Sequence, residues 1–122
     1  MPVQLNIGKR FVVHADIALT DSEKEKGFQY SLRVPDNRGI LFYYGKKGKK
    51  TFWMKNCKFP LDVIALDNRG HILGIQTLLH GYDPPRSWTT PPNTHHVLEI
   101  PGGASLRNRI SRGDIVRFGQ KV

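Results

Sequence analysis

The stretch Thr51-Phe52-Trp53-Met54-Lys55-Asn56-Cys57-Lys58-Phe59-Pro60-Leu61-Asp62-Val63-Ile64-Ala65-Leu66-Asp67 decides how this chain is read. It is the densest aromatic and apolar run in the sequence, so it belongs to the core. It also holds Asn56 and Asp62, and polar groups inside such a run must find partners or border solvent. Leu61 to Leu66 reads as a strand. Asp67-Asn68-Arg69-Gly70 then has the residues of a tight turn, closing a hairpin onto a second strand from His71 to Leu79. On the other side, Ile40-Leu41-Phe42-Tyr43-Tyr44 is a core strand and Gly45-Lys46-Lys47-Gly48-Lys49-Lys50 a solvated hairpin tip. Phe52 to Lys55 is then expected as the returning strand.

Outward from this centre, Arg10 to Leu19 alternates Val13, Ala15, Ile17 and Leu19 with His14 and Asp16, a strand with one buried face. Thr20-Asp21-Ser22-Glu23 is a capping box, in which Thr20 accepts from the Glu23 N–H while the Glu23 carboxylate reaches back, and it predicts a helix from about Asp21 to Tyr30. Pro35-Asp36-Asn37-Arg38-Gly39 is a turn by its chemistry. Asp-Asn-Arg-Gly occurs at 36–39 and again at 67–70; the flanks share nothing further, so this is one turn solution used twice. His80 to Thr94 carries Pro84, Pro85, Pro91 and Pro92 around Trp88, which reads as a long ordered loop. His95 to Ile100 resumes as a strand, Pro101-Gly102-Gly103 turns, Ala104 to Asn108 forms a helical turn, and Gly113 to Phe118 is the last strand. Many short strands with few helical residues predict a mainly β (α+β) fold, a compact antiparallel barrel-like or sandwich-like sheet with one or two short helices.

At 122 residues the chain is expected to form a single domain, residues 1–122, around one core. The single Cys57 excludes an intramolecular disulfide and any Cys-only metal site within the chain. His95 and His96 are adjacent, so on a strand they point to opposite faces; with no His-x-His or Cys-x-x-Cys spacing, no metal and no cofactor are expected. No stretch approaches the roughly 20 apolar residues that span a bilayer, and the N-terminus lacks the apolar run of a signal peptide, so a cytoplasmic protein is expected. The formal net charge of +9 predicts attraction to polyanions. Residues 1–61 hold 12 Lys+Arg against 5 Asp+Glu, and residues 62–122 hold 7 against 5.

Gly39-Ile40-Leu41-Phe42, Phe52-Trp53-Met54-Lys55-Asn56, Pro60-Leu61-Asp62-Val63-Ile64 with Asp67 and Gly70, Leu98-Glu99-Ile100-Pro101-Gly102-Gly103 and Gly113-Asp114 together resemble the domain of unknown function 192 family, in order and spacing, from about Val12 to Val116. The resemblance implies a compact, mostly β domain and carries no established reaction. Two positions depart from the family's pattern. Cys57 stands where relatives look as if they want Thr, and Gly27-Phe28-Gln29-Tyr30 replaces a Gly-Leu-Met-type run.

Several side-chain groups are candidates for function. Asn56 and Asp62 bracket Pro60 and, with Trp53 as a stacking platform and Tyr82 and Trp88 from the Pro-rich loop, form a candidate cleft for a small polar ligand or a protein partner. Alternatively, Asn56 and Asp62 tie down backbone N–H groups at the bend and Trp53 is core. Lys46, Lys47, Lys49 and Lys50 beside Tyr43, Tyr44 and Trp53 give a second reading, a nucleic-acid-associated protein, against which stands a merely solubilising loop. Glu99, Asp62 and Asp114 offer carboxylates for acid–base work without a diagnostic spacing. Cys57 between Lys55 and Lys58 is either an activated thiol or an inert, partly buried one. No nucleophile, base and electrophile are placed together, so catalytic residues are unknown and a non-enzymatic binding module, as a monomer or small homo-oligomer, is the leading reading.

Overall fold

The computed structural model describes residues 2–119. Its elements in chain order are β1 (Pro2–Ile7), β2 (Phe11–Ala18), α1 (Asp21–Lys26), β3 (Arg38–Tyr43), β4 (Thr51–Trp53), β5 (Leu61–Leu66), β6 (Ile72–Leu78), β7 (Ser87–Thr89), β8 (His96–Pro101), α2 (Ala104–Arg107) and β9 (Val116–Phe118). One 7-stranded sheet runs β6-β5-β8-β3-β2-β1-β9, and β4 and β7 form a separate 2-stranded sheet. Neighbours are antiparallel except β2 and β3, which lie parallel with α1 between them in sequence. The large sheet curls into a half-barrel. Its two edges meet where Ile72 N–H donates to Asp114 O (2.8 Å) and Val116 N–H to Gly70 O (2.8 Å). The mainly β, barrel-like expectation with two short helices is therefore what the chain forms.

The curled sheet has a core on each face, because side chains alternate along every strand. Leu41, Ile64, Leu66, Leu98 and Ile100 pack inside the curl with Val13, Ala15 and the α2-side residues Ala104 and Ile110. Phe42, Leu61, Val63 and Val97 face the other way and pack under α1 and β4, against Phe28, Phe52 and Met54. Edge-to-face aromatic pairs, Phe42–Phe52 at 5.0 Å and Phe28–Phe59 at 5.6 Å between ring centroids, fasten this outer layer. With both faces covered, β5 is buried at every position.

The capping box at the start of α1 is formed: Glu23 N–H donates to Thr20 Oγ1 (3.1 Å), and Glu23 Oε1 accepts from the N–H groups of Thr20 (3.0 Å) and Leu19 (3.1 Å). The helix is shorter than the expected 21–30. Gly27 ends it at φ 45, ψ −127, a conformation that side chains resist. The Asp67 turn also forms as read, with Asp67 Oδ1 accepting from the N–H groups of Arg69 and His71 (2.9 Å each).

Two expectations are corrected. Phe52 to Lys55 does not return as a hairpin onto the Ile40 strand, because both edges of β3 are already taken by β2 and β8. Its Thr51–Trp53 part instead pairs with Ser87–Thr89, in the middle of the Pro-rich segment expected to be all loop. The lysine-rich link between β3 and β4 is correspondingly tied down at its end: Lys50 O accepts from Thr90 N–H (2.9 Å), Lys50 N–H donates to Thr90 Oγ1 (3.0 Å), and Lys50 Nζ donates to Gly48 O and Thr94 O at 2.9 Å each.

Candidate ligand-binding cleft

Between α1 and the β4 ribbon, above the outer face of the sheet, lies a cleft of about 280 Å³. Strand β8 supplies its floor through Glu99. The residue is forced there by alternation, since Leu98 and Ile100 face the opposite core, and β8 sits between β3 and β5 so that its backbone is fully paired. Glu99 is only 4 % exposed. Among the described residues, no hydrogen-bond donor or cation reaches its carboxylate, and burial alone pushes its pKa up to about 8. Gly27 closes the wall beside it: a Cβ there would stand 3.5 Å from Glu99 Oε1 and 3.4 Å from the Phe42 ring.

Other polar groups of the cleft are held in their neutral forms. Burial, with the Glu99 charge adding to it, pushes the Tyr44 phenol up to about 12 and the Cys57 thiol up to about 11. Cys57 is thus a poor nucleophile at neutral pH, and the nearby Lys55 and Lys58 do not activate it. Cations are present but kept apart from the carboxylate. Lys24 and Lys26 of α1 line the cleft, and Lys24 Nζ lies 4.3 Å from the Tyr44 ring centroid. Among the described residues neither forms an ion pair. Lys50 Nζ approaches the same ring at 4.7 Å, its pKa lowered by burial and by Lys24 and Lys46.

Of the five residues proposed for a cleft from sequence, Trp53 lines this one, half-exposed, with Lys55 Nζ 5.1 Å from its ring. Asn56 braces the rim, since its Nδ2 donates to Gln29 Oε1 (3.1 Å) and its carbonyl accepts from Tyr30 N–H (2.9 Å). Asp62 lies on the other face of the sheet. Its partner across to β8 is Ile100, whereas Glu99 partners Val63, and alternation sends the two carboxylates to opposite sides. There Asp62 accepts from Thr77 Oγ1 (2.6 Å), Gly103 N–H (3.0 Å) and Ser105 N–H (2.9 Å), clamping β6 and the start of α2 to β5. Trp88 packs partly buried in the outer core opposite Phe52, and Tyr82 stands exposed under Arg86, 4.0 Å from its ring centroid. The five are therefore not gathered in one cavity. The three carboxylates are also dispersed: Asp114 accepts from Ser111 N–H (3.0 Å) in its own turn. Lys46, Lys47 and Lys49 are exposed on the β3–β4 link, and only Lys50 is folded back.

The family model DUF192, described as Uncharacterized ACR, matches residues 3–118. The chain belongs to the DUF192 family. Two solved structures share the architecture of this DUF192 chain. One, a candidate transcription regulator from Sinorhizobium meliloti, superposes with a TM-score of 0.88 at 23% identity, over 97% of this chain and 94% of that one. The other, a protein of unknown function from Novosphingobium aromaticivorans, superposes with a TM-score of 0.86 at 28% identity, over 95% and 84%. No curated protein matches the DUF192 chain. Among its described residues, no three His, Cys, Asp or Glu side chains are grouped to hold a metal, and no helix is long and apolar enough to cross a membrane.

Proposed function

We propose that this protein is a small-ligand-binding module whose site is the cleft between α1 and β4. One observation carries the reading: Glu99, buried at the floor of an open cleft, has no hydrogen-bond or ion-pair partner among the described residues. Natural interiors satisfy their buried polar groups, and an exception at a concave surface marks a place where something else supplies the partner. Aromatic walls from Phe42, Tyr44 and Trp53 with a few fixed polar groups are the composition of a ligand pocket. At about 280 Å³ the cleft suits a small molecule rather than a peptide. Tyr44 and Cys57, both neutral at physiological pH, favour binding over nucleophilic chemistry. The test is a screen of small polar molecules against ¹⁵N-labelled protein. Ligand-dependent shifts should cluster on Gly27, Tyr44, Trp53 and Cys57; shifts confined to other surfaces would sink the reading.

A second reading rests on a separate surface. Lys46, Lys47 and Lys49 project together from one exposed link in a chain of net charge +9, the pattern of a site for nucleic-acid phosphates. The description of the Sinorhizobium meliloti neighbour as a candidate transcription regulator is compatible with it. Oligonucleotide binding that weakens steeply with salt supports this reading, and absence of binding at low salt removes it.

A further inference from the structure

The cleft holds a buried acid and two lysines that do not meet. Glu99 lies deep, with no cation of the described chain in reach, while Lys24 and Lys26 stand along the same cleft without carboxylate partners. A simple anion would leave Glu99 without a cation to pair with and would be repelled as soon as that carboxyl ionises. A site for a simple cation would not be lined by two lysines in a chain of net charge +9. We propose, building on the cleft reading above, that the ligand is a small zwitterion: a primary ammonium directed at Glu99 and a carboxylate or phosphate directed at Lys24 and Lys26. Such a molecule bridges the acid and the lysines that the fold keeps apart, with Glu99 ionising as the ammonium arrives. Each would exchange an unpaired state for a charge-assisted hydrogen bond.

The cleft size agrees. About 280 Å³ is at the lower end of ligand pockets, which points to a molecule with few heavy atoms. The half-buried wall formed by Tyr44, Cys57 and Trp53 accommodates the short apolar spacer between the ligand's charges. The titratable groups around Glu99 come from every side of the cleft: Lys24, Glu25 and Lys26 from α1, Tyr44 from the end of β3, and Cys57 after β4. Of these, Tyr44 and Cys57 stay neutral well above pH 8. The group that changes charge near neutrality is Glu99, which must release its proton to pair with an ammonium. Affinity for the zwitterion should thus tighten by up to about tenfold for each pH unit between 6 and 8, with close to one proton released per ligand at the lower end.

Calorimetric titration of the full chain at pH 6, 7 and 8, in buffers of different ionisation enthalpy, tests this. The probes are glycine, 4-aminobutyrate and O-phosphoethanolamine as zwitterions, ethanolamine as the cation alone, acetate and inorganic phosphate as the anions alone, and glycerol and uridine as neutral controls. At least one zwitterion should bind ten times tighter than any single-charge probe, and carboxylate and phosphate members tell the two anionic groups apart. Glu99→Gln should abolish the pH dependence, and Lys24→Ala with Lys26→Ala should weaken binding about tenfold without touching proton release. Should Glu99→Gln fail to fold, the pH series and proton count on the unaltered protein decide the question. Binding of a neutral probe in the cleft, insensitive to pH and to Glu99→Gln, overturns the zwitterion and leaves the cleft standing. No binding in the cleft by any probe at millimolar concentration overturns both.

Discussion

Replacing Glu99 with Gln should stabilise the protein, increasingly so as the pH rises. The carboxyl is pushed up to about 8 when folded against an ordinary 4.5 when unfolded, because burial disfavours its charged form and no partner among the described residues compensates. Below pH 4.5 both states are protonated and the group is neutral to stability. Between 4.5 and 8 the unfolded chain releases the proton while the native state keeps it, so stability falls as pH rises, and above 8 the loss is complete. At about 1.4 kcal/mol per pH unit, the full loss has a ceiling of about 5 kcal/mol, lowered by local relaxation and water entry from the cleft. Glutamine keeps the shape and removes the charge. At roughly 3 °C per kcal/mol for a domain of this size, the variant should melt on the order of 10 °C above the parent at pH 8.5, and the two should coincide near pH 4. Thermal unfolding followed by circular dichroism across pH 4 to 9 reads this directly. A gap that stays constant with pH would show that Glu99 is not a buried acid held neutral, and the cleft would lose its defining group.

Further consequences concern the framework and the loop. Gly27→Ala should cost roughly 1–3 kcal/mol, since the residue sits at φ 45, which strains any side chain, although the new Cβ would meet Phe42 and Glu99 only at ordinary contact distance; a Tm equal to the parent's would contradict the local geometry. Asp62→Ala should cost roughly 3 kcal/mol by stranding the buried N–H of Ser105 and the partly buried N–H of Gly103. A mild loss in urea unfolding would instead return Asp62 to the list of groups kept for a ligand. Neutralising Lys46, Lys47 and Lys49 together should leave the Tm within about 2 °C of the parent, because surface charges contribute little to folding, while lowering the salt needed to elute the protein from heparin. An unchanged elution point would make that basic loop irrelevant to polyanion binding.

Much of the fold was legible because local chemistry and periodicity agreed. The Thr20 capping box, the Asp67 turn and the alternation in Phe11–Ala18 each specify a local structure that tertiary packing leaves intact. Partner choice was not legible. Phe52 to Lys55 follows a hairpin-like link, yet β3 had no free edge to offer, and the real partner lay some 35 residues away in the Pro-rich segment. β1 carries a usable signal, Val3, Leu5 and Ile7 alternating with Gln4 and Asn6. The site was legible only in outline. Asp62 and Glu99 are each a lone acid within an apolar strand, identical signals by composition. Among the described residues one meets three donors and the other none, and sequence cannot tell them apart because both faces of β5 and β8 are covered.

The most direct measurement is a ¹³C NMR titration of the Glu99 side-chain carboxyl in the ligand-free protein. A midpoint about 8 is the expected result, with the signal unchanged below about pH 6. A midpoint between 4 and 5 would mean that the carboxyl is solvated or paired, and the floor of the cleft would then hold no unpartnered acid for a ligand to answer.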